Sequence, residues 1–443
     1  DGGNQRRVLK LDDNLGGGFN GLMADEWGYS FDWRPSAVPA GPSPTAATPG
    51  PTPSPIPTTS AAVAGAIPLE IGAEVAFPEN AALIIETGCW GCDGPSRGLD
   101  RIYQRPDGSW SRETLFEPSR LGLSQYIDST GAQRGPHIAG FAVAPGLSEI
   151  AVGVCIAGSC ATDGLDSWAP DSVLAVFRSV DGGVTWTRLG DVADGLLLGG
   201  IIAPSQYLVS RAEERNVVTY EAFPGGEPVT PPDGGKWLFA VLSGQPLWYT
   251  EGSRVLWADG STFADFGNDT QAGPASTDGS KTAVLWHRTK FGGEGTDFVS
   301  VIVSGSTTTY GLPGLSLAMI PFTGNSLVGN VTYRDGKYAP SIIDLKDGVL
   351  HPLGEPFTGA DFAVGRNHIV GFQTGPFARV VNTGSCLNIR DGPSTTAAVV
   401  TCAADGVLLR DIGEASEADG VTWSRVVTPS GTEGWSAAQY LER

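Results

Sequence analysis

Charged residues make up only 17% of this chain, and the shortage falls on one sign. There are 28 Lys and Arg against 48 Asp and Glu, a net charge of −20. Such a chain has little basic surface to set against a phosphate backbone or an anionic lipid headgroup, so no nucleic-acid or membrane-surface partner is expected. Histidine is scarce: His137, His287, His351 and His368 stand far apart, without metal-ligand spacing. The acidity suits weak calcium binding, but Asp12-Asp13-Asn14 is too short to be a site and no complete calcium loop occurs. No metal or cofactor is therefore expected. No run of 18 apolar residues offers a membrane span within the given sequence. No phosphate loop occurs either, since Gly16-Gly17-Gly18 lacks the lysine and the strand-to-helix setting. Methionine is nearly absent, at 2 residues, while Gly 62 and Pro 32 point to many turns and few long helices.

What is present begins with six cysteines in three close couples: Cys89 and Cys92, Cys155 and Cys160, Cys386 and Cys402. An even count at short spacing indicates disulfides and an oxidising compartment, although six cysteines allow 15 connectivities. Cys89-Trp-Gly-Cys92 also has redox spacing, but it lies among β-turn signals rather than before a helix, so a loop staple is the better reading. A four-cysteine zinc site is a third and remote option. With Asp1 first and no leader in view, the sequence reads as an exported product at the cell surface or beyond it.

The chain divides by composition. Residues 1–34 form an arm in which Trp27, Tyr29, Phe31 and Trp33 alternate, the pattern of a strand with one apolar face. The arm has no core to bury that face, so it packs on its own propeller or on a neighbouring subunit. Residues 35–60 hold nine prolines among Thr, Ser and Ala and carry no charge, the composition of an extended polyproline II linker.

Residues 61–377 read as a repeating all-β unit. Ala81–Glu86, Glu149–Val154, Tyr207–Arg211, Leu247–Tyr249, Lys281–Trp286 and Ser326–Thr332 each read as an inner strand. Further strands and Asp-Gly turns follow in several units, as at Asp107-Gly108, Asp181-Gly182, Asp259-Gly260 and Asp347-Gly348. All-β repeats of this length indicate a β-propeller. Six units are visible, and Asp361–Thr374 either closes the ring or begins a seventh blade.

One turn is more specific. Ser179, Asp181, Gly183, Thr185 and Trp186 give Ser-x-Asp-x-Gly-x-Thr-Trp. Asp181 can accept backbone N–H groups of its own turn, Gly182 and Gly183 can supply positive φ, and Trp186 can bury its ring between sheets. The stretch resembles the Asp-box of sialidase- and sortilin-like propellers, which implies architecture rather than chemistry. Sialidases carry several such boxes, an early Arg-Ile-Pro motif, three substrate-binding arginines and a tyrosine nucleophile beside a glutamate. Here one box is intact and the Arg-Ile-Pro motif is absent.

The last residues, 378–443, read as a separate small domain. Leu387-Asn388-Ile389-Arg390-Asp391-Gly392-Pro393 opens it, and Gly434-Trp435 precedes a Tyr440-Leu441 close. This resembles the bacterial SH3-like domain, a small β-barrel whose relatives imply attachment to cell-wall polymers or protein partners. The Cys386–Cys402 couple lies outside the usual pattern of that family and would staple two strands of a domain too small to rest on core burial alone.

The fold expected is all-β: a six- or seven-bladed propeller plus an SH3-like barrel, with an extended arm and a Pro-rich linker. The function expected is a non-catalytic surface scaffold or adhesive subunit that associates with itself or its neighbours. A glycan-binding or glycan-cleaving surface protein is the alternative.

Overall fold

The computed structural model describes residues 66–443 apart from a set of loops, among them 88–97, 161–170, 290–296 and 354–367. Strands dominate, and six sheets of the ring each fold as an antiparallel meander. Blade 2 is typical: His137–Val143, Ile150–Ala157, Val173–Ser179 and Thr187–Ala193 pair in sequence order from the centre outwards. Blades 3 and 4 follow the same scheme, from Gly195–Ala203 and from Trp237–Leu242 respectively. Blades 5 and 6 begin at Thr270–Thr277 and Gly314–Thr323. Blade 1 differs: Ala81–Thr87, Gly98–Gln104 and Trp110–Phe116 are completed by His368–Thr374, which pairs on the inner side of Ala81–Thr87. The ring is thus closed by its last strand, and the blade number is six.

The six runs that read as inner strands from sequence are the second strands of their blades. The innermost strands sit one step closer to the axis, and each has an irregular register against its neighbour. The shifts fall at Ile369/Gly371, Ile138/Phe141, Gly195/Leu197, Leu238/Ala240, Ala272/Ala275 and Ser316/Met319. A bulge breaks the period-2 alternation by which a strand is recognised. The second strand of blade 2 is regular over Ile150–Cys155 on its outer side, and that run is buried without a break. Gly140 shows how closely the blades meet near the axis. Its φ is +90°, and a Cβ there would lie 2.2 Å from the carbonyl oxygen of Leu198 on blade 3.

Before entering blade 1 the chain runs along the outside of the ring. Ile67–Pro68 pairs in parallel with the outer strand Ser306–Gly311 of blade 5, and Glu70–Ile71 with the outer strand Val349–Pro352 of blade 6. Leu69 drops between them into a buried cluster with Val299, Tyr310 and Leu350. The C-terminal strand therefore closes the ring from within, while this segment clasps it from outside.

Beside a two-stranded ribbon of Tyr126–Ile127 and Gln133–Arg134, the last sheet has seven strands. Val399–Ala404, Cys386–Arg390, Glu433–Ala437, Val421–Val427, Leu408–Ala418, Phe377–Val380 and Leu441–Glu442 are neighbours in that order. Its core includes Val380, Leu387, Ile389, Leu409 and Val426. Cys155–Cys160 and Cys386–Cys402 are disulfides, each with its Cα atoms 5.7 Å apart. The first leaves the end of a blade 2 strand, and the second ties Cys386–Arg390 to Val399–Ala404. No helix among the described residues is long and apolar enough to cross a membrane.

Candidate functional site

In a meander, the turns from first to second strand and from third to fourth lie at one end of the ring. The chain leaves the ring at this end, because Thr374 pairs with Ala81 at the start of the second strand. The seven-stranded domain is seated here, over blade 1 and the Ser179–Trp186 turn of blade 2.

The turn is organised by one carboxylate. Asp181 accepts from Val184 N at 3.1 Å, from Thr185 N at 3.0 Å and from Ser179 Oγ at 2.8 Å. Thr185 Oγ1 donates to its other oxygen at 2.5 Å. Gly182 and Gly183 take φ of +73° and +92°, which lets the chain fold over that side chain. Trp186 reaches blade 1: its Nε1 donates to Leu115 O at 2.7 Å, and its ring meets Phe116 edge-on at 4.6 Å.

The outer side of this turn meets the SH3-like domain. Val184 packs against the core of that domain, and Pro429 stands over Gly182. Beneath them Arg101, on the third strand of blade 1, is fully buried. It donates to Gly182 O at 2.5 Å and pairs with Glu113 at 3.2 Å. Arg379, from the first strand of the small domain, pairs with the same Glu113 and donates to Tyr103 Oη at 2.6 Å. Leu408 adds an apolar contact to Ala82 and Tyr103. Two guanidinium groups thus share one carboxylate. Desolvation, and then the charge of Arg379, pull the pKa of Arg101 down to about 10. That leaves it a cation at neutral pH, and its burial is a standing cost that Glu113 and the Gly182 carbonyl offset.

A second polar cluster lies between blades 2 and 3. Glu149 pairs with Arg178 at 3.0 Å, accepts from Ser205 N at 3.2 Å and accepts the Tyr207 hydroxyl. Tyrosine, glutamate and arginine are the residue types of a sialidase centre, but the electrostatics run the other way. Burial, followed by the bond to Glu149, pushes the Tyr207 phenol up, away from a phenolate nucleophile. Among the described residues no group of three or more His, Cys, Asp or Glu has a metal-holding arrangement.

The SH3-like motif residues fall on two strands and a turn. Leu387 and Ile389 face the core, while Asn388 between them is exposed. Arg390 donates to Ala397 O at 2.6 Å, bridging the loop that holds Gly392 and Pro393. Gly434 lies so close to that strand that a Cβ would stand 2.6 Å from Arg390 O, and Trp435 pairs with Arg390 next to it. Trp27, Tyr29, Phe31 and Trp33, with Cys89 and Cys92, lie outside the described residues. Sequence reasoning missed both ion clusters, whose members come from separate strands. It also passed over one Gly-x-Ser-x-Gly spacing, at Gly94-Pro95-Ser96-Arg97-Gly98. That stretch joins two strands of blade 1, not the strand and helix a nucleophile elbow requires.

Residues 385–442 match the family described as Bacterial SH3 domain. No curated protein matches the chain. Solved structures with similar folds include TolB from Acinetobacter baumannii, at 10% identity and a TM-score of 0.27, covering 81% of this chain and 63% of that one. Puromycin hydrolase is 12% identical with a TM-score of 0.37, over 80% of this chain and 58% of that one. The β-propeller domain of the Trilobed protease from Pyrococcus furiosus is 8% identical with a TM-score of 0.31, over 84% and 97%. The chain spans less than two thirds of the length of TolB and of puromycin hydrolase. At these scores the likenesses assign no activity. The chain is an all-β, six-bladed propeller with a bacterial SH3 domain at its C-terminus.

Proposed function

We propose that this protein is a non-catalytic scaffold or adhesive subunit of an extracellular assembly, with the propeller as its rigid body and the SH3 domain and N-terminal arm as docking elements. In this reading the Ser179–Trp186 turn is an Asp-box put to architectural use. The observation that carries the proposal is where the charged clusters lie. Arg101, Glu113 and Arg379 join two blades to the SH3 domain, and Glu149, Arg178 and Tyr207 join blade 2 to blade 3. Their hydrogen bonds and ion pairs hold the body together. The SH3 match and two disulfides are consistent with an extracellular protein.

The test is the mass of the native full chain by size-exclusion with light scattering, together with negative-stain imaging. Large regular particles that disappear when residues 1–35 are deleted support the proposal. A monomer of 46.0 kDa under all conditions overturns it. The alternative is a glycan-binding or glycan-cleaving surface protein, favoured only by the residue types at Tyr207, Glu149 and Arg178. Specific binding on a glycan array, or turnover of a model glycoside, would replace the scaffold reading with that one.

A further inference from the structure

Most sheet edges among the described residues are closed to further pairing. The outer strands of blades 5 and 6 are covered by Ile67–Pro68 and Glu70–Ile71. On the outer strand of blade 2, Arg188 holds Asp191 through both carboxylate oxygens, at 2.7 and 2.8 Å. Blade 3 ends in the two residues Glu227–Pro228, and blade 4 in a short strand closed by Asp265. The outer strand of blade 1 carries Arg112 and Glu113. Charge, proline and shortness are the usual guards of an edge.

One edge of the SH3 sheet, Leu441–Glu442, is guarded in the same way, being two residues long with a charge. The other edge carries neither charge nor proline and is longer, although its register against its neighbour shifts at Val400. Val399–Ala404 reads Val-Val-Thr-Cys-Ala-Ala, and the uncharged run extends back to Gly392. Val399 and Val400 are 49% and 46% exposed, at an irregularity where Arg390 faces Val399 and Ile389 faces Thr401. The disulfide from Cys402 to Cys386 pins this strand to its single neighbour in the sheet.

We propose that Val399–Ala404 accepts, as an added strand, residues 27–33 of a second copy of this chain. The inference rests on the scaffold reading and supplies the contact it needs. Trp27, Tyr29, Phe31 and Trp33 occupy alternate positions, so in a strand they share a face. Laid along the edge, that face sets aromatic rings against an exposed valine, a favourable cross-strand pairing. The outward N–H and C=O groups of the edge supply the main-chain bonds.

The path of the chain argues for a second copy. Residue 66 lies beside blade 5, three blades away from blade 2, whereas the SH3 domain is seated on blades 1 and 2. Residues 35–60 have the composition of a stiff polyproline II spacer. A polyproline II chain of that length would span about 80 Å, at about 3.1 Å per residue. An arm on one copy that fits an edge on the next makes a heterologous contact, which propagates instead of closing.

The test places a photoreactive benzoylphenylalanine at position 31 of the full chain, in a mixture of isotopically heavy and light copies. The expected result is heavy–light cross-links mapped to residues 399–404. In parallel, Val400→Lys charges the edge through an exposed side chain. It should reduce the assembly to monomers at an unchanged thermal midpoint. Cross-links that stay within one copy or map to the propeller overturn the proposal, as does a Val400→Lys protein that assembles like the parent. If the parent assembles and these outcomes appear, the strand contact fails and the scaffold reading stands. If the parent is a monomer and no heavy–light cross-link forms, both fail.

Discussion

Arg101 Nη2 lies 2.5 Å from the carbonyl oxygen of Gly182, a residue 81 positions later in the chain. The bond joins the third strand of blade 1 to the turn of blade 2, at the point where Pro429 and Val184 bring in the SH3 domain. Three parts of the molecule therefore meet around one buried cation. Its partner Glu113 is shared with Arg379, so the local balance is two positive charges to one negative.

Removing that negative charge should be worse than removing one of the cations. In Glu113→Gln, Arg101 and Arg379 face each other with only the weaker influence of Asp181 as counter-charge. Losing one side of a buried pair costs about 3–5 kcal/mol, and the partial exposure of Glu113 brings the expectation nearer 2 kcal/mol. Adding Arg379→Met removes one of the stranded cations and should recover part of the loss. Denaturant unfolding of the two single variants and the double variant measures the coupling. A strictly additive cycle would mean that the three side chains do not act together.

Gly140 and Gly122 make a controlled pair. Both have positive φ, +90° and +67°, but a Cβ at 140 meets Leu198 O at 2.2 Å, while a Cβ at 122 meets nothing within 4 Å. Gly122→Ala should cost about 1 kcal/mol, the price of the backbone conformation alone. Gly140→Ala must also push blade 2 off blade 3, and a loss above about 3 kcal/mol or failure to fold is expected. Thermal midpoints of the two variants settle the comparison, and similar losses would show that the blades separate easily there.

How legible the molecule was follows from the same geometry. A second strand such as that of blade 2 is continuously buried over its first six residues, so the run Ile150-Ala-Val-Gly-Val154 declares itself. The innermost strands are bulged, and a run such as Gly195-Leu-Leu-Leu-Gly-Gly200 shows neither clean alternation nor a helical period. The ring-closing strand was legible only as two alternatives, because pairing with a strand nearly 290 residues earlier leaves no local mark. The SH3 motif was readable because its residues stand together in the sequence, at 387–393 and 434–435, although their contacts span the domain. The seat of that domain was not. Its members, Arg101, Glu113 and Arg379, come from three strands, and the sole hint is an arginine set among Leu99, Ile102 and Tyr103.

The Ser179–Trp186 turn gives a prediction about both domains at once. Asp181→Ala removes the acceptor for Val184 N, Thr185 N and two hydroxyl groups. Leaving those donors unpaired should cost about 1–3 kcal/mol. Because Val184 packs on the SH3 core, the change should also loosen the domain contact. Proteolysis at the junction near Gly375 should be faster in Asp181→Ala than in the parent, at a temperature where both remain folded. Equal rates would show that the turn supports its own blade and nothing further.

Acid should act late on two carboxylates at the surface of the SH3 domain. Asp419 accepts from Thr395 N at 2.8 Å and from the hydroxyls of Ser394 and Thr395, and Asp405 accepts from Thr383 N at 3.0 Å. For Asp419 the Thr395 backbone bond is the leading cause, and for Asp405 the Thr383 hydroxyl is; each holds its carboxyl below the ordinary 3.8. A carboxylate lowered on folding contributes its stability in full above the unfolded value. That contribution is lost as pH falls through the lower folded value. The Thr395 and Thr383 amide resonances should therefore hold steady down to about pH 4 and move only in stronger acid. Movement already complete at pH 4 would mean that these bonds are not kept in solution.

Tyr207 supplies the matching test in base, and it separates a structural from a chemical role. Its phenol is raised by burial first and by the bond to Glu149 second. As pH passes 10 the unfolded chain releases this proton while the folded chain keeps it. The contribution is therefore whole below pH 10 and declines above it. Tyr207→Phe forfeits the hydrogen bond, about 1 kcal/mol at neutral pH, and with it the alkaline decline. Urea midpoints from pH 8 to pH 11 should fall more steeply for the parent than for the variant, so that the two curves converge at the alkaline end. A nucleophilic tyrosine would behave in the opposite way. Its phenolate would form at or below the ordinary pH, and the absorbance of ionised tyrosine in the folded parent would include Tyr207 well before pH 10. Parallel midpoint curves together with that early absorbance would return the Glu149, Arg178 and Tyr207 cluster to consideration as a glycosidase centre.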